Sequence, residues 1–225
     1  MMVITIDGPI ASGKSTAARL LAQRIGFYHL SSGMLFRTLA YLLVKYAGYK
    51  EEKLSMPAQK DIEYYLNPAR FICSFDDTGK LHVMFKEENI VPLLKQKQID
   101  HYASLIATDA HVRQALLKLQ HSLAQSNNLV VDGRDSGSIV FPNAAIKFFL
   151  TASIEVRALR WQQKHKKLGY DLSLQEAINQ IESRDDRDKN RKISPLVIPN
   201  GAIVIDNSDY SIQETVDIME SFMHR

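Results

Sequence analysis

Short apolar runs punctuate this chain at Val3–Asp7, Phe27–Leu30, Leu129–Asp132, Ile146–Thr151 and Ile203–Asp206. Runs of this kind predict strands buried in a parallel sheet. Helical spacing of apolar residues separates or follows them, over Ser15–Ile25, Leu35–Val44, Ala110–Gln125, Glu155–Lys167, Leu174–Asp186 and Ile212–Met223. In the first of these, Ala18, Leu21, Ala22 and Ile25 recur on one face. Ser173 with Glu176, and Ser211 with Glu214, have the spacing of capping boxes at two helix starts. Strands alternating with helices predict a doubly wound α/β fold.

Two segments break the alternation. In Asn67–Ile90, the apolar stretches Arg70–Phe75 and Leu81–Lys86 flank Asp76-Asp77-Thr78-Gly79-Lys80, which predicts a β-hairpin outside the main sheet. Lys164–Lys192 is dense in charge and predicts a mobile helical lid poor in core residues. Inserts of this sort either close over a substrate or are surface excursions without function.

At 225 residues the chain can bury an ample core in one or two domains. A net charge of +3 does not demand a nucleic-acid partner, and it suits a pocket for anions equally well. The single cysteine, Cys73, rules out a disulfide framework within one chain and fits a cytoplasmic location. No apolar run reaches membrane-spanning length and the N-terminus enters a strand at once, so no membrane partner is expected.

Chemistry enters with Gly8-Pro9-Ile10-Ala11-Ser12-Gly13-Lys14-Ser15, which fits the phosphate-binding loop G-x-x-x-x-G-K-[ST] between a predicted strand and a predicted helix. Backbone N–H groups of such a loop wrap phosphate oxygens, and the helix N-terminus adds positive potential. Lys14 is expected on the β/γ-phosphates and Ser15 on Mg²⁺. Asp132, at the end of a core strand, is placed to hold the Mg²⁺ hydration shell; a turn or capping role is its alternative.

A phosphate loop leaves open a switch GTPase, a motor ATPase and a small-molecule kinase. No N-K-x-D guanine reader is present, and Asp76-Asp77-Thr78-Gly79 reads as turn chemistry. The arginines are more informative. Arg37 follows the second strand, and Arg134 follows the third in Val131-Asp132-Gly133-Arg134-Asp135. Arg184, Arg187, Asp188 and Arg191 share one face if their segment is helical. So many planar guanidinium forks suit an anionic acceptor as well as a donor triphosphate. A solvated helix with an Arg184–Asp188 pair is the plain alternative. An acceptor phosphate is already anionic, so no general base is needed; positioning and charge neutralisation suffice.

Together these residues resemble the bacterial cytidylate kinases, in their long form, of the nucleoside monophosphate kinase group. The resemblance is carried by Ile4-Thr5-Ile6-Asp7-Gly8-Pro9 with Gly13-Lys14-Ser15-Thr16, and by Ser31-Ser32-Gly33 with Arg37. It is carried further by Asp132 through Pro142 and by Arg184-Asp185-Asp186-Arg187-Asp188-Lys189-Asn190-Arg191, so it spans nearly the whole chain. It implies phosphoryl transfer from ATP to CMP or dCMP with Mg²⁺. It implies a P-loop NTPase fold with a five-stranded parallel core over 1–32, 126–163 and 193–225. A monophosphate-binding part over 33–125, carrying a hairpin at 67–90, and a lid over 164–192 complete the implied domain, which is expected to act as a monomer. Gly8 through Thr16 would bind ATP. Ser104, Arg113 and Asp135 look like the cytosine readers, which suits a carboxylate facing an exocyclic amine. Arg184 and Asp188 look like ribose contacts. Arg37, Arg134 and Arg191, with Ser32 nearby in the chain, look like contacts to the acceptor. Lys14, Arg134, Arg184 and Arg191 would carry catalysis.

The chain departs from the family where Ile10 and Ala11 replace Ser and Gly, where Ser31 replaces Asp, and where Ser136 replaces an apolar residue. Ala11 is strained if its position requires positive φ. Other readings are a UMP/CMP or other small-molecule kinase, and a nucleotide-binding regulator without turnover. An RNA-binding module is disfavoured, because acids alternate with bases in the 164–192 segment and no aromatic platform accompanies them.

Overall fold

The structure, a computed structural model, describes residues 1–76 and 78–223. Its strands are β1 (Val3–Asp7), β2 (Tyr28–Ser31), β3 (Phe71–Phe75), β4 (Leu81–Phe85), β5 (Glu88–Asn89), β6 (Leu129–Asp132), β7 (Ile146–Thr151) and β8 (Ile203–Asp206). Its α-helices are α1 (Lys14–Ile25), α2 (Ser32–Lys45), α3 (Gln59–Tyr65), α4 (Lys97–Ile106), α5 (Ala110–Ser126), α6 (Ile154–Lys166), α7 (Leu174–Asn190) and α8 (Ile212–Ser221). A five-stranded parallel sheet runs in the order β2-β6-β1-β7-β8, which places the chain in the α/β class. The described chain divides into two compact units, one over 27–129 and the other over 2–26 and 130–225.

The second unit holds the phosphate loop. β1 pairs in parallel with β7, Ile4 opposite Ile146 and Asp7 opposite Phe149; β7 continues to β8, Phe148 opposite Ile203. β6 is buried at all four positions and β1 at all but the first, as befits strands covered on both faces. α7 extends past its predicted end at Asp186 to Asn190, so one helix carries Arg184, Arg187 and Asp188. Both predicted capping boxes form, at Ser173–Glu176 and at Ser211–Glu214. The 164–192 segment is not poor in core residues. Ala177 and Ile181 are fully buried with Ala158 and Ile10, edged by Ala11, Ile154, Trp161 and Ile178. Its charges mask an apolar stripe of small and branched residues spaced one turn apart.

In the first unit, the predicted hairpin forms apart from the main sheet, with Phe71 opposite Phe85 and Phe75 opposite Leu81. It gains a third strand, β5, whose two exposed residues give no apolar signal. Asp77, part of the expected turn, lies outside the described residues; its neighbour Asp76 accepts hydrogen bonds from the backbone of Thr78 and Lys80. α3 and α4 were not anticipated from apolar spacing. α3 is only two turns long, and α4 is a short amphipathic helix that buries Ile99, Ala103 and Ile106 on one face. No helix among the described residues is long and apolar enough to cross a membrane.

Candidate active site

The phosphate loop spans the end of β1 and the start of α1. Gly8 has φ 145°, and a Cβ there would lie 2.0 Å from the Leu150 carbonyl oxygen, so only glycine allows β1 to turn this close to β7. Ala11 has φ 59°, so the positive φ contemplated from sequence is present on a residue with a Cβ. The loop is braced through its carbonyls. Ser12 O accepts from Asn207 Nδ2 at 3.1 Å and from Arg160 Nη1 at 3.4 Å, and Ile10 O accepts from Arg157 Nη1 at 3.2 Å. Lys14 Nζ turns back on its own loop, donating to Pro9 O and, at 3.3 Å, to Ser12 Oγ. Burial and the charge of Arg134 hold its ammonium well below the ordinary lysine range, against the pull of Asp132, Asp7 and Asp185.

Ser15 Oγ donates to Asp132 Oδ2 at 2.6 Å, so the two expected metal-side residues are in contact. Mg²⁺ keeps most of its water and takes few protein ligands. A serine hydroxyl beside one carboxylate fits that demand. No group of three or more His, Cys, Asp or Glu side chains suited to a metal occurs among the described residues.

Beyond β6 the chain makes a wide turn over Ser136–Val140. Asp7, buried at the end of β1, accepts from Ser136 N at 2.8 Å and from Gly137 N at 2.6 Å. It thereby anchors the segment that carries Arg134 and Asp135. Gly137 is required here because a Cβ would fall 2.6 Å from Thr5 Oγ1. Burial raises the Asp7 carboxyl from 3.8 to about 6, although the two backbone N–H groups favour its ionised form.

Arg134, Asp135, Asp188 and Arg191 form one network. Arg134 Nε donates to Asp188 Oδ2 at 2.8 Å. Arg191, which caps the C-terminus of α7, reaches Asp135 Oδ1 at 3.4 Å, lies 3.9 Å from Asp188 Oδ1 and donates through Nε to Ser194 O. Burial raises the Asp188 pKa, but the charges of Arg134 and Arg184, a hydrogen bond from Arg134 and the charge of Arg191 together hold it below the usual carboxylate range. Arg184, Arg187 and Asp188 therefore lie on one helix, Arg191 follows its end, and Asp188 is ion-paired with Arg134 and lies near Arg191.

The other expected acceptor residues lie in the first unit. Ser32 Oγ donates to Gln120 Oε1, and Arg37 Nε donates to Gly33 O at 3.0 Å while lying 3.5 Å from Asp100. Ser104 is buried on α4. Arg113 donates to Ala107 O at 3.0 Å and lies 5.4 Å from the centre of the Phe36 ring. Sequence reading did not single out three supporting residues: Asp7, Arg157 and Asp185. Asp185 had a signal, since it continues the buried stripe of Ala177 and Ile181 at four-residue spacing.

The cytidylate kinase family model matches residues 4–225. Among curated relatives, cytidylate kinase of Colwellia psychrerythraea is 37% identical over 218 residues, covering 96% of this chain and 92% of the relative. That of Mycoplasmoides gallisepticum is 42% identical over 217 residues, covering 95% and 89%. That of Marinomonas sp. is 38% identical over 221 residues, covering 96% and 93%. With a phosphate loop, a serine–aspartate pair and an arginine–carboxylate network in place, and with these likenesses running end to end, the chain belongs to the cytidylate kinase family.

Proposed function

We propose that this protein transfers the γ-phosphoryl group of ATP to CMP or dCMP, giving ADP and CDP or dCDP, with Mg²⁺ bound beside Ser15 and Asp132. The observation that carries this reading is the contact of Ser15 Oγ with Asp132 Oδ2 at 2.6 Å, at the mouth of the phosphate loop of a chain in the cytidylate kinase family. The loop amides and Lys14 hold the donor phosphates. Ser15 and Asp132 would hold Mg²⁺, which would supply charge neutralisation for the donor phosphates. Arg134, Arg191 and Arg37 hold the acceptor phosphate, whose oxygen is already anionic, so positioning replaces general-base catalysis. Asp135, Arg113 and Ser104 read the cytosine, and Asp188 with Arg184 holds the ribose. Ser32 supports the acceptor residues. The protein works as a monomer, and its sparing use of cysteine suits the cytoplasm.

The 164–192 segment acts as a lid. The exposed connection between α6 and α7 follows Lys166 and Lys167, so trypsin should cut there more slowly when CMP and a non-hydrolysable ATP analogue are both present. Unchanged cutting would argue against closure.

The test of function is ADP release from ATP and Mg²⁺ with CMP, dCMP, UMP, AMP and GMP offered separately. Turnover confined to CMP and dCMP is expected. Turnover on another acceptor overturns the base assignment, and no turnover on any favours the regulator reading.

A further inference from the structure

Both backbone polar groups of Ile10 in the phosphate loop are held by one buried ion pair. Its N–H donates to Asp185 Oδ1 at 3.0 Å, and its carbonyl accepts from Arg157 Nη1 at 3.2 Å. Arg157 and Asp185 are hydrogen-bonded to each other, and Arg157 Nε also donates to Ala152 O at 3.1 Å. The pair spans α6 and α7, and both side chains are nearly excluded from water. The Ile10 side chain completes the joint from the apolar side, packing with Ala158 of α6 and with Ala177 and Ile181 of α7. The departure of the loop at Ile10 and Ala11 thus has a structural counterpart: both side chains pack on the core of the 164–192 segment.

We propose that Asp185, with Arg157, is a positioning residue that ties the phosphate loop to α7, so that donor and acceptor contacts are set together. The same helix carries Arg184, immediately before Asp185, and Asp188, one turn later, and it ends on Arg191. A shift of the Ile10 backbone is therefore transmitted to the residues of the acceptor network through one rigid element. This inference rests on the acceptor roles proposed above. It adds a role for two residues that touch neither nucleotide in that reading.

The test compares the wild type with Asp185→Asn and Arg157→Lys in two measurements. The first is hydrogen exchange of the ligand-free protein, which needs no substrate. Exchange in the segment holding Ile10 is expected to quicken by about tenfold or more in both variants, because the fork that grips the loop is broken. The second is steady-state turnover with ATP and CMP. The expected result is a kcat lower by roughly 10- to 100-fold, the scale of a misplacement of about an ångström, with the KM for CMP raised as well. A purely structural role would lower kcat with the folded fraction and leave both KM values alone, and that result overturns the proposal. If the wild type turns over no monophosphate, the acceptor reading fails by itself, and exchange decides the tie: unaltered protection at Ile10 overturns it. Arg157→Lys keeps a cation in the site and guards against Asp185→Asn failing to fold.

Discussion

Ser15 Oγ donates to Asp132 Oδ2 at 2.6 Å, although 117 positions separate the two residues. The bond joins the first turn of α1 to the end of β6, so a hydroxyl and a carboxylate meet at the mouth of the phosphate loop. Asp132→Asn keeps an acceptor for the serine but removes the charge proposed above to hold hydrated Mg²⁺. The concentration of Mg²⁺ giving half-maximal turnover should rise by about tenfold or more in this variant. A Mg²⁺ titration of initial rates checks this, and an unmoved midpoint would take Asp132 out of the metal site.

Arg191 spans Asp135, Asp188 and Ser194 from the end of α7. Arg191→Ala should cut kcat by roughly 10²- to 10³-fold, through lost stabilisation of the transferring phosphoryl group. Arg191→Lys should restore little, because a single ammonium cannot reproduce the fork. Rates with saturating ATP and CMP decide it; near-normal turnover by the alanine variant would remove Arg191 from the acceptor site.

Asp7 gives the protein a pH dependence of predictable sign. Its carboxyl is raised from 3.8 to about 6 by burial. Between those values the folded state keeps a proton that the unfolded chain has lost, so this group's contribution to stability falls as pH rises through the window. At about 1.4 kcal/mol per pH unit, the fall is about 3 kcal/mol. Asp7→Asn removes the titration. The unfolding free energy of the wild type relative to this variant should therefore decline by that amount between about pH 3.5 and about pH 7. Urea melts at several pH values measure it, and a flat or rising difference would contradict the assigned environment.

Gly8→Ala sets a Cβ against the Leu150 carbonyl oxygen at 2.0 Å, on a backbone with φ 145°. The clash is with backbone and has no soft side chain to displace. A cost of roughly 3 kcal/mol or more is expected, which lowers Tm by about 10 °C in a chain of this size. A calorimetric shift below about 2 °C would mean that the β1 turn rearranges freely.

Much of the site was legible in the chain because its signals are local. The phosphate loop is a contiguous string, and the residues after β6 follow a strand end directly. The spacing of Arg184, Arg187 and Asp188 is that of one helix, and α7 carries all three, with Arg191 just past its end. The supports were not legible in the same way. Arg157 looks like an ordinary helix charge until α6 and α7 pack, and Asp7 looks like a strand-end turn residue until the Ser136–Val140 segment folds onto it.

By itself the sequence determined the kinds of element and their punctuation: apolar runs that must be buried as strands, and capping boxes that start α7 and α8. These depend on neighbours a few residues away, where bond geometry and side-chain period act. The tertiary structure alone decided that β1 lies beside β7, that Ile10 packs into the core of α6 and α7, and that two exposed residues complete the small sheet as β5. The reason is that burial and ion pairing are properties of what arrives from elsewhere in the chain. A carboxylate such as Asp185 carries no mark of the guanidinium it will meet until the loop between them closes.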